Sequence, residues 1–263
     1  MGAMNIPKFA FAVACGLSAS ATAPAFAEDL TIVYKATGNM GMLSAKYLSS
    51  MRTRQDRGPY TTSYNAVMGP YSDIVDMVLG KYITINHQKR EYWEATPQEG
   101  EAAIVLAQEK SNTARAKLKE TYAKMGKEPP PEFDARESAS LEKLSDHRTI
   151  ARYSCEHYVI TLTTHSLNGR VLSVTTYNYW VAPDLRDPSL VASDSFRPQI
   201  KVERIGAEVV RLERKMNDQG VPLAFTMTSS GFEGSSEAIE VKKGPIDPSV
   251  FFVPAGYIKA RMP

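Results

Sequence analysis

Residues Asp73–Thr96, DIVDMVLGKYITINHQKREYWEAT, decide the fold. Asp73–Val78 is followed by Gly80 and Lys81, Tyr82–Asn86 by His87, Gln88 and Lys89, and Arg90–Thr96 closes the run. Each segment is short and rich in β-branched or aromatic residues, the composition of strands. The links between them are far shorter than the dozen or so residues that a parallel crossover needs. The three segments therefore pair antiparallel, as a meander.

Upstream, Leu30, Ile32 and Tyr34 alternate with Thr31, Val33 and Lys35 until Gly38-Asn39, which reads as a strand and a turn. Met42–Tyr47 and Met51–Gln55 read as a second and third strand around Ser49-Ser50, and Arg57–Pro70 as a loop. Downstream, Pro97 opens a different regime. Glu99–Met125 is rich in Ala, Glu, Lys and Gln, with Ala103, Ala107, Ala114, Leu118, Tyr122 and Met125 at helical spacing. Pro97 at the first turn and Gly126 past the end fit a helix start and stop. Pro129-Pro130-Pro131 breaks the chain.

Strands resume at Arg148–Tyr153 and Cys155–Thr163, then Arg170–Val181, with Asn168-Gly169 as a hairpin signal. Ala182–Pro198 reads as a Pro- and Asp-rich connection. Lys201–Met216 carries Val202, Ile205, Val209, Leu212 and Met216 on one stripe and stops at Gly220, which predicts a second helix. Leu223–Ser230 and Glu237–Lys242 form a last hairpin, and Val250–Val253 precedes the ending Pro254-Ala255-Gly256-Tyr257. Several strands carry apolar residues on both faces, which a one-sided sheet does not do. The expected class is α+β: a large curved antiparallel sheet with two inserted helices covering its concave face.

Residues 1–27 read as an export signal: Lys8, the apolar run Phe9–Leu17, and small residues ending Ala25-Phe26-Ala27. Residues 28–263 are then a single domain, expected in a bacterial periplasm. A rival reading keeps the protein lipid-anchored through Cys15, since Ala12-Val13-Ala14-Cys15-Gly16 loosely resembles a lipoprotein box. Nothing after residue 28 approaches the roughly 20 apolar residues of a membrane span. The net charge is +2, or +1 once Lys8 is removed, which gives no reason to expect nucleic acid or another polyanion. Without Cys15, Cys155 stands alone and no internal disulfide forms.

Little in the residues points to catalysis. Cys155 and His157 lie two apart on an expected strand and could be a nucleophile and its base, but no third orienting group is evident. His147, His157 and His165 lack the spacing of a metal site. Neither GxSxG, HExxH nor a phosphate-cradling Gly-rich loop is present. Arg52, Arg54 and Arg57, with Tyr60 and Tyr64, read as a solvated face, or as a surface for anionic lipid head groups. The aromatics on strands fit either a packed core or the lining of an apolar cavity. Tyr34, Ile85, Trp93, Tyr177 and Trp180 are the expected ligand-contacting residues.

Several segments resemble the DUF4412 family of exported bacterial proteins. They are Asp29–Lys35, Met51–Arg54, Ile83–His87 running into Lys89–Glu94, Tyr153–Tyr158, Trp180–Pro183 and Phe251–Tyr257. Tyr153–Tyr158 looks like the family's G-Y-x-C-x-x-Y element, with Ala151-Arg152 where Gly is usual. The family is similar in its elements to the periplasmic lipoprotein carriers of the LolA/LolB type, half-barrels whose helices close an apolar cavity. The family has no settled activity to carry over; the export signal, the two-faced strands, the helical inserts and the resemblance together give the expectation of a non-enzymatic protein, without cofactor or metal, that binds or shuttles a lipid or other apolar ligand, such as a lipoprotein acyl chain, in a half-barrel cavity and touches the membrane peripherally. Two alternatives remain: an envelope structural or stress protein acting through protein contacts, and a thiol enzyme using Cys155.

Overall fold

The computed structural model describes residues 28–38, 42–61, 67–130, 135–190 and 207–261; the expected signal at 1–27 lies outside them. The first part of the chain is β1 (Leu30–Gly38), β2 (Leu43–Leu48), β3 (Arg52–Arg57), the two-residue strands β4 (Tyr60–Thr61) and β5 (Val67–Met68), β6 (Tyr71–Asp76), β7 (Lys81–Asn86) and β8 (Glu91–Ala95). Helix α1 (Pro97–Lys124) follows. The second part is β9 (Arg136–Ile150), β10 (Tyr153–His165), β11 (Val171–Ala182), helix α2 (Ala207–Asn217), β12 (Val221–Ser229) and β13 (Phe232–Lys243). A 3-10 turn at Pro248–Phe251 and β14 (Ile258–Lys259) end it.

Among the described residues, twelve strands form one open sheet in the order β14-β8-β7-β6-β3-β2-β1-β13-β12-β11-β10-β9. All its pairings are antiparallel except β14 with β8. The sheet is thus two meanders fused where β1 pairs with β13, from Leu30 opposite Lys243 to Gly38 opposite Gly234. The register shifts between Val33 and Tyr34, between Glu156 and Tyr158, and between Trp180 and Val181. Bulges of this kind bend a strand and increase its twist.

Helix α1 begins and ends as the sequence predicts. Thr96 Oγ1 accepts from the Glu99 backbone N–H while the Glu99 carboxylate accepts from that of Thr96, a capping box. Gly126 takes φ 65° past its end. The expectation that it covers the concave face is not met. Leu106, Leu118 and Met125 are exposed, as are Ala107 and Ala114, while Ala103 and Tyr122 are half-buried. Its modest stripe of alanines offers too little apolar area to hold it on the sheet, and its main contact is with β8, beside its start. Helix α2 does pack down. Val209, Leu212 and Met216 are buried against Tyr158, Ile160, Leu162, Tyr179 and Val181. The chain then turns at Gly220, where any side chain would collide with the Ala182 carbonyl.

Strand β9 is longer than the sequence suggests. Its residues 136–147 are mostly charged or small, because it is an edge strand with solvent beyond it. It joins β10 through a two-residue turn, Ala151-Arg152, with Ile150 opposite Tyr153. Both turn residues have positive φ, 44° and 70°, as a type I′ turn demands. Such a conformation costs an L residue about 1–2 kcal/mol. The double variant Ala151→Asn, Arg152→Gly is expected to raise stability by about 1 kcal/mol, since Asn-Gly adopts this turn without strain. A shift of the urea midpoint to higher concentration, with unchanged slope, checks it; an unchanged or lower midpoint counts against the strain.

Candidate functional site

A cleft of about 200 Å³ opens on the sheet face under α2. Tyr34, Met42, Leu43, Lys46, Gln55 and Arg57 line it from the first meander; Tyr179, Pro222, Ala224 and Phe225 line it from the second. Glu213, Met216 and Asn217 of α2 complete it. Paired residues across a sheet share a face, and Lys46 lies opposite Gln55, which puts Arg57, two residues on, on that same face.

The hydroxyls in this cleft are spoken for. Tyr34 Oη donates to the Pro222 carbonyl at 3.0 Å, tying the two meanders together. Tyr179 Oη donates to the Glu213 carboxylate, fixing α2 to β11. Burial pushes both phenols far above the usual tyrosine range, and Glu213 adds to the effect at Tyr179. The cations are less engaged. Arg57 Nη2 donates to Gln55 Oε1 at 3.1 Å, and Lys46 has no ion-pair partner among the described residues. The cleft therefore has an apolar floor of Met42, Leu43, Met216 and Phe225 and a cationic side made by Lys46 and Arg57.

The five residues expected to contact a ligand separate. Tyr34 lines the cleft. Tyr177 packs in the cluster under α2, its ring centroid 6.3 Å from that of Phe225. Trp93 lies on the cleft's side of the sheet but on the far wing, since it registers through Thr84 and Asp73 to Gln55. Ile85 faces the other way and is buried with Ile74, Ile83 and Phe251. Trp180 follows Tyr179 on β11 and so points to the opposite face, stacked on His157 at 4.3 Å with Arg148 over its ring.

The arginines also divide by alternation. Arg57 reaches the cleft, while Arg52 and Arg54 face the opposite side and hold the C-terminal segment. This replaces the solvated face that the sequence suggests. Arg54 donates through Nε to Asp56 at 2.6 Å, through Nη2 to Ser72 Oγ at 3.1 Å, and through Nη1 to the Val250 carbonyl at 2.7 Å. Ser72 donates to the same Asp56 oxygen at 2.6 Å. Having spent its one proton there, Ser72 must accept from His87 Nε2 at 2.7 Å, so His87 Nδ1 accepts from Tyr257 Oη at 2.9 Å. Burial first, and the Arg54 charge second, hold His87 below the ordinary histidine range, which favours this neutral ring. Arg52 lies over the Phe252 ring and pairs with the buried Asp76, and Arg90 lies over Tyr257. Lys46 and Phe225 are not singled out by the sequence, which reads Arg57 only together with Arg52 and Arg54 and Met216 only as part of a helix stripe. Strand alternation alone distinguishes Arg57 from Arg54, but nothing in the sequence says which face is open.

Cys155 is fully buried, its thiol directed to the Tyr153 carbonyl at 3.5 Å. Burial pushes the thiol up to about 11, so it stays protonated near neutral pH. His157, its expected base, instead donates through Nδ1 to the Asp146 carboxylate at 2.9 Å and places Nε2 3.2 Å from Asn178 Oδ1. Among the described residues no three His, Cys, Asp or Glu side chains group as a metal site, and no helix is long and apolar enough to cross a membrane. Iodoacetamide is expected to leave Cys155 unmodified in the native protein and to label it fully after denaturation. Rapid labelling of the folded protein, read by intact mass, would contradict this burial.

Residues 95–257 match the family described as a domain of unknown function, DUF4412. The match runs from the end of β8 to Tyr257 of the C-terminal segment, and the resembling pieces before residue 95 lie outside it. No curated protein matches the chain.

Proposed function

The chain belongs to the DUF4412 family, and from that premise we propose that it is a non-enzymatic, exported binding protein that holds an apolar chain in the cleft under α2. The observation that carries this reading is the cleft itself: a floor of Met42, Leu43, Met216 and Phe225, walled by Tyr34 and Tyr179. Methionine and aromatic side chains adapt to an acyl chain without demanding one shape. We read the open sheet with α2 across it as a half-barrel of the LolA/LolB kind, working in the periplasm. The fit is to a segment rather than a whole lipid, because ligand pockets usually span about 300–1,000 Å³. The cleft has room for roughly seven water molecules at about 30 Å³ each, which is the bulk of a short acyl segment.

A second reading rests on α1, whose exposed Leu106, Leu118 and Met125 suit a protein partner. It makes the cleft incidental, so one experiment separates the two. Octanoate or 1-octanol, titrated calorimetrically, is expected to bind the mature protein. Leu43→Trp fills the cleft from its half-buried side and is expected to weaken binding at least tenfold with the circular dichroism unchanged. Equal binding by this variant, or none by the native protein, would remove the cleft as the functional site.

A further inference from the structure

We propose that the cleft selects an oxyanion at the head of its apolar ligand, a carboxylate or phosphate clamped by Lys46 and Arg57. This rests on the binding reading above and adds the ligand's charge to it. The cleft's own charge is unbalanced. Its lining carries two cations, Lys46 and Arg57, against one carboxylate, Glu213. Glu213 already accepts from Tyr179, and it forms no ion pair with either cation among the described residues. The nearby acids are engaged elsewhere. Asp73, next in register to Gln55, accepts from Thr84 Oγ1 at 2.9 Å; burial raises its carboxyl above the ordinary range against the opposing effects of that bond and of the Arg57 charge, and it forms no ion pair with Arg57 among the described residues. Asp187, close enough to influence Tyr34, accepts from the Ser189 N–H and hydroxyl.

Geometry brings the two cations together. Lys46 stands opposite Gln55 on the neighbouring strand, and Arg57, two residues on and on the same face, lies diagonally from it across the register shift between Leu43 and Ala45. Long side chains so placed can converge on one oxyanion. Arg57 uses one terminal nitrogen on Gln55, which steadies the guanidinium, and its other nitrogens, which have no hydrogen-bond partner among the described residues, suit a bidentate contact. Both side chains are half-buried beside an apolar floor, where an unmatched charge is costly and an incoming anion is favoured. A neutral alcohol of the same length would leave that cost in place.

Calorimetric titration of the mature protein with octanoate, octyl phosphate, 1-octanol and acetate tests this. Octanoate or octyl phosphate is expected to bind at least tenfold more tightly than 1-octanol, and acetate not measurably. Whichever of the first two binds more tightly identifies the head group. Lys46→Gln and Arg57→Gln are each expected to weaken the anionic ligand about tenfold and to leave 1-octanol unchanged, with Lys46→Arg retaining binding. Equal affinity for octanoate, octyl phosphate and 1-octanol would overturn the anion clamp while leaving the binding reading intact. Binding of none of the four would overturn both.

Discussion

The ladder between β1 and β13 is the joint on which the molecule depends. Each meander is built from neighbours close in sequence, but β1 must pair with a strand some two hundred residues later. The cleft exists only because of that pairing. Lys46, Gln55 and Arg57 come from one meander, and Tyr179, Phe225 and Met216 from the other. The Tyr34 hydroxyl crosses the joint to Pro222, and Ile32, Leu48, Val221, Leu223 and Val241 fill the core beneath it. Contacts so distant in sequence form only after a large loss of chain entropy, so the buried apolar area at this joint must offset it.

The two faces of the first meander have different duties. Toward the cleft, β3 offers Gln55 and Arg57. Away from it, the same strand offers Arg52, Arg54 and Asp56 to a C-terminal segment that returns across the sheet. Arg54, Asp56, Ser72, His87 and Tyr257 satisfy one another in a single chain of hydrogen bonds, as buried polar groups must. Around them Phe251 closes over Ile74, Ile83 and Ile85. The cluster of Asp146, His157 and Trp180, on the face opposite the cleft, is likewise internally paired. In the cleft, by contrast, neither Lys46 nor Arg57 forms an ion pair among the described residues.

Much of the fold was legible in the sequence, and the illegible parts have physical causes. The short strands between Tyr71 and Ala95, the capped helix from Pro97 and the stripe of α2 all carry local signals. Residues 136–147 carry only a faint one, because just Ala139 and Leu141 alternate toward the cluster under α2 while the charged and small residues of this edge strand face solvent. Helix α1 was expected to cover the sheet, but packing depends on the apolar area that its stripe can bury, and alanines bury little. The cleft was half legible. Tyr34 is there, whereas Ile85 and Trp180 are turned away by strand parity; Lys46 carries no signal of its own, and Arg57 separates from Arg52 and Arg54 only once the register shows which residues share the cleft's face.

The central claim is that this cleft carries a cargo. Native mass spectrometry of the mature protein, exported and purified without detergent, tests it most directly. The account predicts a species heavier than the polypeptide by the mass of a small anionic amphiphile, which solvent extraction returns to the bare chain. A preparation that carries only the bare mass, and gains none after incubation with octanoate, octyl phosphate and 1-octanol, would contradict it.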